Sequence, residues 1–110
     1  MSRRSLSLFS ILLLFTGFSS FSLHAAANSS IFTAHHGVSE YPKLSKVSPL
    51  QAMRVASEFA KGDIHSVALL SERGILTYEV DIVSPKSGLH EVGIDAGTGR
   101  FLYNKLRNPN

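Results

Sequence analysis

Four carboxylates carry the only arrangement in this chain that invites chemistry. Glu79 and Asp81 stand two apart in one stretch of alternating polar and apolar residues, and Glu91 and Asp95 stand four apart in the next. In extended chain, residues two and four apart point to the same side, so all four are expected on one face. Such a face can hold a metal ion or a cationic partner. It can also be the solvated side of a sheet whose other side is covered, balanced by Lys and Arg from neighbouring segments. The solvated face is preferred, with Glu79, Asp81, Glu91 and Asp95 kept as the candidate binding set. Two carboxylates working as acid and base would need a cleft that raises one pKa, which an open sheet face does not offer.

The remaining reactive types point away from catalysis. The chain has no cysteine, which excludes disulfides, zinc–thiolate sites and cysteine nucleophiles. No G-x-S-x-G or comparable nucleophile setting occurs. His35 and His36 are adjacent, so in extended chain they point apart, and a solvated loop is expected there rather than a metal site. His65 and His90 are expected near strand ends on the covered side of a sheet, as edge-of-core histidines rather than a pH-sensitive pair. No catalytic residue, metal or cofactor is expected.

The elements that must position these groups are legible. Ser48 to Lys61 (SPLQAMRVASEFAK) reads as one amphipathic helix. Ser48 serves as N-cap, Pro49 takes the first helical position, Gln51 completes a capping-box pattern, and Gly62 follows where a left-handed residue is wanted. Ala52, Val55, Ala56 and Phe59 form the apolar stripe. The small alanines at 52, 56 and 60 allow close approach to a sheet, and Phe59 is expected to fill the gap beside them. Leu50 is the one apolar residue on the polar side.

After Gly62 the period changes to two. Ile64–Ser71, Ile75–Val83, Leu89–Ala96 and Arg100–Lys105 read as strands separated by Glu72-Arg73-Gly74, Ser84–Gly88 and Gly97–Gly99. Closing the hairpins predicts Val83 opposite Leu89, Val80 opposite Val92, Tyr78 opposite Ile94, Ile94 opposite Phe101 and Val92 opposite Tyr103. A two-residue Arg73-Gly74 turn sets Leu69 opposite Tyr78 and Val67 opposite Val80, and it is preferred to a three-residue turn that would bury Leu70 and Ala68 instead. Asp81 then faces Glu91, a like-charge contact that costs up to about 1 kcal/mol. The expected fold class is α+β, one N-terminal helix packed on a four-stranded antiparallel meander.

Residues 1–27 read as an export signal. Arg3 and Arg4 precede the apolar run Leu8–Phe18, which is too short for an ordinary membrane span, and Ala25-Ala26-Ala27 offers a small-residue cleavage site. Ordinary Sec export is preferred to the twin-arginine route that SRRSL resembles, and cleavage to an uncleaved anchor. The expected product begins at Asn28 and is periplasmic or secreted, touching the membrane only through the signal segment before cleavage. The formal charge of +3 loses Arg3 and Arg4 on cleavage, leaving no basic footprint for nucleic acid. Residues 28–46 show no sustained period and are expected to form a flexible leader. The domain is expected over 47–105, with a polar tail at 106–110.

These residues together resemble the PepSY domain family. The resemblance rests on the Ala-rich helix ending near Gly62, Val67 and Leu69, Tyr78-Glu79-Val80, Glu91-Val92, and the closing Asp95-Ala96-x-Thr98-Gly99-x-Phe101, and it runs from about Val47 to Tyr103. The closing turn is its sharpest part, because Asp95 and Thr98 can accept from local backbone N–H groups and Gly99 can take a positive φ. Gly93 departs from the branched residue often found in that strand. The resemblance implies an extracytoplasmic, non-catalytic module of the kind found in propeptides of thermolysin-like metallopeptidases and in a spore-germination protein. Its implied partner is a peptidase or another protein of the cell envelope, which it restrains or tunes. A small-ligand or cation-binding protein using the acidic face is the alternative.

Overall fold

The alternating stretches pair into one antiparallel sheet. The computed structural model describes residues 29–107; the expected export segment at 1–27 and the end of the expected tail, 108–110, lie outside the described residues. The strands are β1 (Asp63–Glu72), β2 (Ile75–Ser84), β3 (Gly88–Asp95) and β4 (Phe101–Arg107), in the order β1-β2-β3-β4. Two short helices precede them, α1 (Tyr41–Leu44) and α2 (Pro49–Ala56). The fold is α+β, as expected, and α1 forms where a flexible leader was expected.

The first two hairpins take the expected register. Val83 pairs with Leu89, Val80 with Val92 and Tyr78 with Ile94. Glu72 pairs with Ile75 across Arg73 and Gly74, which sets Leu69 against Tyr78 and Val67 against Val80. Both turn residues have positive φ, 52° at Arg73 and 81° at Gly74, as a two-residue hairpin loop with the twist of the flanking strands requires. One face is then largely apolar, with Ser71, His90 and Asn104 at its margins. Leu76, Tyr78, Val80, Ile82, Val92 and Ile94 are buried there against Ala52, Ala56 and Ala60.

The β3–β4 pairing corrects the expectation. Ile94 does face Phe101, but a bulge at Leu102 then sets Gly93 against Tyr103 and Val92 against Asn104. One extra residue reverses the face of everything beyond it, so Tyr103 leaves the covered side. Gly93 makes room for it: a Cβ there would lie 2.2 Å from a ring carbon of Tyr103. The missing branched side chain in β3 is therefore filled by a tyrosine from β4. That strand also runs through Leu106 and Arg107, past the expected domain boundary at residue 105.

The helix begins as expected and stops early. Ser48 Oγ accepts from the Gln51 N–H at 3.1 Å. At the other end Ser57 Oγ donates to the Met53 carbonyl at 2.9 Å, and Glu58 and Phe59 make tight bonds back to Val55 and Ala56, a 3₁₀-like closure that takes the chain off the helix axis. Phe59 is consequently outside the core, 45 % exposed. It stacks on Phe101 with ring centroids 3.9 Å apart, pinning the end of the helical segment to β4.

The expected leader has a face to bury after all. β2 extends two residues beyond the end of its β3 ladder, and Ile31 to Thr33 occupy the vacated place. Leu76 N donates to Ile31 O at 2.8 Å, Thr33 N donates to Gly74 O at 2.9 Å, and Phe32 bridges Ile75. Further on, Tyr41 and Val47 join the core, and the buried Tyr78 hydroxyl donates to Val47 O at 2.7 Å. A segment without periodicity is thus held by backbone pairing and two anchor residues, neither of which leaves a periodic trace.

Candidate functional site

On the open face of the sheet, β2 and β3 bring Glu79, Asp81 and Glu91 together, with a carboxylate oxygen from each lying within 4.8 Å of the others. Asp81 faces Glu91 across the ladder, as expected. Each carboxylate has one neighbour that eases its charge. Tyr103 OH donates to Glu79 Oε2 at 3.0 Å, Ser66 Oγ donates to Asp81 Oδ2 at 3.1 Å, and Arg107 Nε donates to Glu91 Oε1 at 3.2 Å. The other oxygen of Asp81, Oδ1, is buried and has no hydrogen-bond partner among the described residues. An unsatisfied acceptor of this kind costs about 1–3 kcal/mol, and more when charged, so it marks a place where a donor or cation from outside would be welcomed.

Asp95 is not part of this cluster. Only 2 % exposed, it accepts from Gly97 N at 2.7 Å and Thr98 N at 3.0 Å, and its other oxygen accepts from Ser30 Oγ. Thr98 Oγ1 in turn accepts from Arg100 N, and Gly99 has φ 81°. The closing turn is built as its sequence suggests, and Asp95 is spent on holding it. Alternation alone placed Asp95 on the acidic face; the turn at its end decides otherwise.

The bulge supplies what sequence reasoning missed. Because Leu102 is extra, Tyr103, Lys105 and Arg107 all fall on the open face. Lys105 Nζ reaches Glu72 Oε1 at 3.1 Å and lies 4.6 Å from the centre of the Tyr103 ring. A hollow of about 220 Å³ opens beside them, lined by Glu72, Arg73, Ile75, Leu102, Tyr103 and Lys105. Burial, followed by the hydrogen bond to Glu79 and the negative charges of Glu79, Glu72 and Glu91, pushes the Tyr103 phenol far above its usual range. A raised phenol pKa gives stability that is complete below about pH 10, the unfolded value, and drains away as pH climbs towards the folded one. Absorbance titration should therefore show one tyrosine that stays protonated until the chain unfolds in alkali, and Glu79→Gln should bring its titration down.

Among the described residues, His36 and His90 have local partners. His36 Nδ1 lies 3.2 Å from Glu40 Oε1, and the Gly37 N–H together with His36 holds Glu40 below the usual carboxylate range. The carboxylate beside this histidine comes from the short 3₁₀ turn at Val38–Glu40. His90 is fixed between Ser87 Oγ at 2.7 Å and Asn104 Oδ1 at 2.9 Å. His65, expected at the edge of the core, is exposed at a bulge between Ile64 and Ser66.

Among the described residues no helix is long and apolar enough to cross a membrane. Residues 46–104 match the family model PepSY, described as peptidase propeptide and YPEB domain. That span agrees with the extent of the resemblance in the sequence. No curated protein and no solved structure matches the chain.

Proposed function

Because this chain belongs to the PepSY family, a family of propeptide and regulatory modules, we propose that it is an exported, non-catalytic binding module that modulates a peptidase or another envelope protein by direct contact. The open sheet face is the contact surface, and Asp81 Oδ1 is the observation that carries the reading. A buried acceptor beside two further carboxylates suits a lysine or arginine presented by the partner, which would supply the missing donor and relieve the crowded negative charge. The restraint is proposed to act on a separate chain. The test is binding to, and inhibition of, the peptidases released into the envelope of the source cell. The expected result is a complex that the double charge reversal Glu79→Lys/Asp81→Lys abolishes. Binding that survives the reversal would remove the acidic face from the proposal, and the absence of any complex would remove the function.

The same oxygen favours a second reading, in which Glu79, Asp81 and Glu91 together hold a hard cation such as calcium through carboxylate oxygens. A cation bound only by the folded chain stabilises it by about 2.7 kcal/mol at a hundred times its dissociation constant. A rise in melting temperature with calcium, lost in Asp81→Asn, supports this reading; an unchanged melt dismisses it. The two readings share an outcome in the free chain. Asp81→Asn, by turning one crowded carboxylate into an amide that can donate to Glu91, should raise stability by up to about 1 kcal/mol in denaturant titrations without added metal.

A further inference from the structure

We propose that the free edge of β1 is a self-association surface, through which two copies of this chain join antiparallel into one continuous sheet. β1 ends the sheet, and among the described residues no backbone hydrogen bond outside its ladder with β2 reaches Asp63–Glu72. The two-residue turn makes Glu72 and Ile75 a hydrogen-bonded pair, so Leu70 and Ala68 also turn their backbone groups towards β2. Ser71, Leu69 and Val67 turn theirs outward.

Exposed edges are usually blunted by charge, proline or a bulge. β4, the opposite edge, carries Lys105, Arg107 and the bulge at Leu102. β1 has a bulge only near its start, at His65, and Ser66 to Ser71 (SVALLS) contain no charge, proline or glycine. Beside this run, Pro42, Pro49, Val67, Leu69 and Tyr78 line an apolar hollow of about 330 Å³. Ile64, Val67 and Leu69 pack on the core from that side yet stay half-exposed.

The strand matches itself in one register. With Val67 on the two-fold axis, the bulge brings Ile64 opposite the partner's Leu69, twice by symmetry, so the half-exposed apolar side chains cover one another on the helix side. Asp63 then lies opposite the partner's Leu70, and Lys61 becomes the nearest charge to the partner's Glu72. Centring on Ala68 instead sets Asp63 against the partner's Glu72, two like charges. Centring on Leu69 sets Ser66 against the partner's Glu72 and Val67 against the partner's Ser71. The charge pattern and the apolar pattern therefore select a second copy in the Val67 register, an isologous contact that closes at two. Both clusters of Glu79, Asp81 and Glu91 would lie on the same side of the joined sheet.

The absence of cysteine makes the test direct. In the purified chain, as its expression host processes it, sedimentation should show a dimer that dissociates on dilution. Val67→Cys should form a disulfide-linked dimer under mild oxidation, while Ser71→Cys should not, since only the axial position meets its own copy. Ala68→Lys, on the exposed outer side of β1, should raise the dissociation constant at least about tenfold, a charged edge being the usual block to pairing. Its melting temperature in dilute solution should match the parent's, which separates loss of pairing from loss of fold. A chain that stays monomeric up to about 1 mM overturns the proposal, as does cross-linking at Ser71→Cys equal to that at Val67→Cys.

Discussion

Leu76→Ala is expected to lose about 2–5 kcal/mol of folding free energy, the range for deleting a buried leucine side chain and leaving its cavity. Leu76 is fully buried, and its backbone ties three parts of the chain together: its N–H donates to Ile31 O, and its carbonyl accepts from Ala96 N at 3.0 Å. The site therefore cannot collapse towards either neighbour without pulling on the N-terminal segment or on the turn after β3, which places the loss in the upper half of the range. Small domains sit near the low end of the usual 5–15 kcal/mol, so such a loss removes half or more of the total. Urea unfolding should show a large fall in midpoint with little change in slope. A loss under about 1 kcal/mol would mean that the core is not organised around β2 as described.

Asp95→Ala is expected to lose about 2–4 kcal/mol, because it strands the N–H groups of Gly97 and Thr98 and the hydroxyl of Ser30 in one step. For a domain of this length each kcal/mol moves the melting temperature by about 4–8 °C, so the change is readily measured by calorimetry. Asp95→Asn keeps an acceptor for Gly97 and Thr98 and should recover most of the loss. The pair also separates Asp95 from the acidic face in functional terms: Asp95→Asn should leave partner or cation binding intact, whereas Asp81→Asn should abolish it while leaving the chain stable. Equal effects on binding from both would return Asp95 to the site.

What was legible in the sequence was whatever repeats with a period. Val80 opposite Val92, Tyr78 opposite Ile94 and Leu69 opposite Tyr78 follow from alternation and turn length, and all three pairs form. Ser48 as cap and Ala52, Ala56 and Ala60 as the close-packed ridge follow from local chemistry, and they stand as expected. Non-periodic events were hidden. A single bulge residue, Leu102, carries Tyr103 to the other side of the sheet, and its only trace in the sequence is Gly93, whose missing Cβ needs a neighbour to fill the space. The helix closes through tight bonds from Glu58 to Val55 and Phe59 to Ala56, which moves Phe59 from the core to a stack on Phe101. Residues 29–47 depend on partners far along the chain, so no window of the sequence contains both halves of the contact. Of the candidate site, Glu79, Asp81 and Glu91 were found from their spacing. The groups that modulate them, Tyr103 and Arg107, arrive only through the bulge.

The Ile31–Thr33 pairing to the start of β2 sets an order of events as the chain is made. This stretch leaves the ribosome early, yet Leu76 and Gly74, which receive it, follow more than forty residues later. The β1–β2 hairpin, whose contacts are local, can zip first, while the early segment waits unpaired for its partners. It locks last, like a drawstring, and its amide protons should be the first to exchange once the finished molecule begins to open.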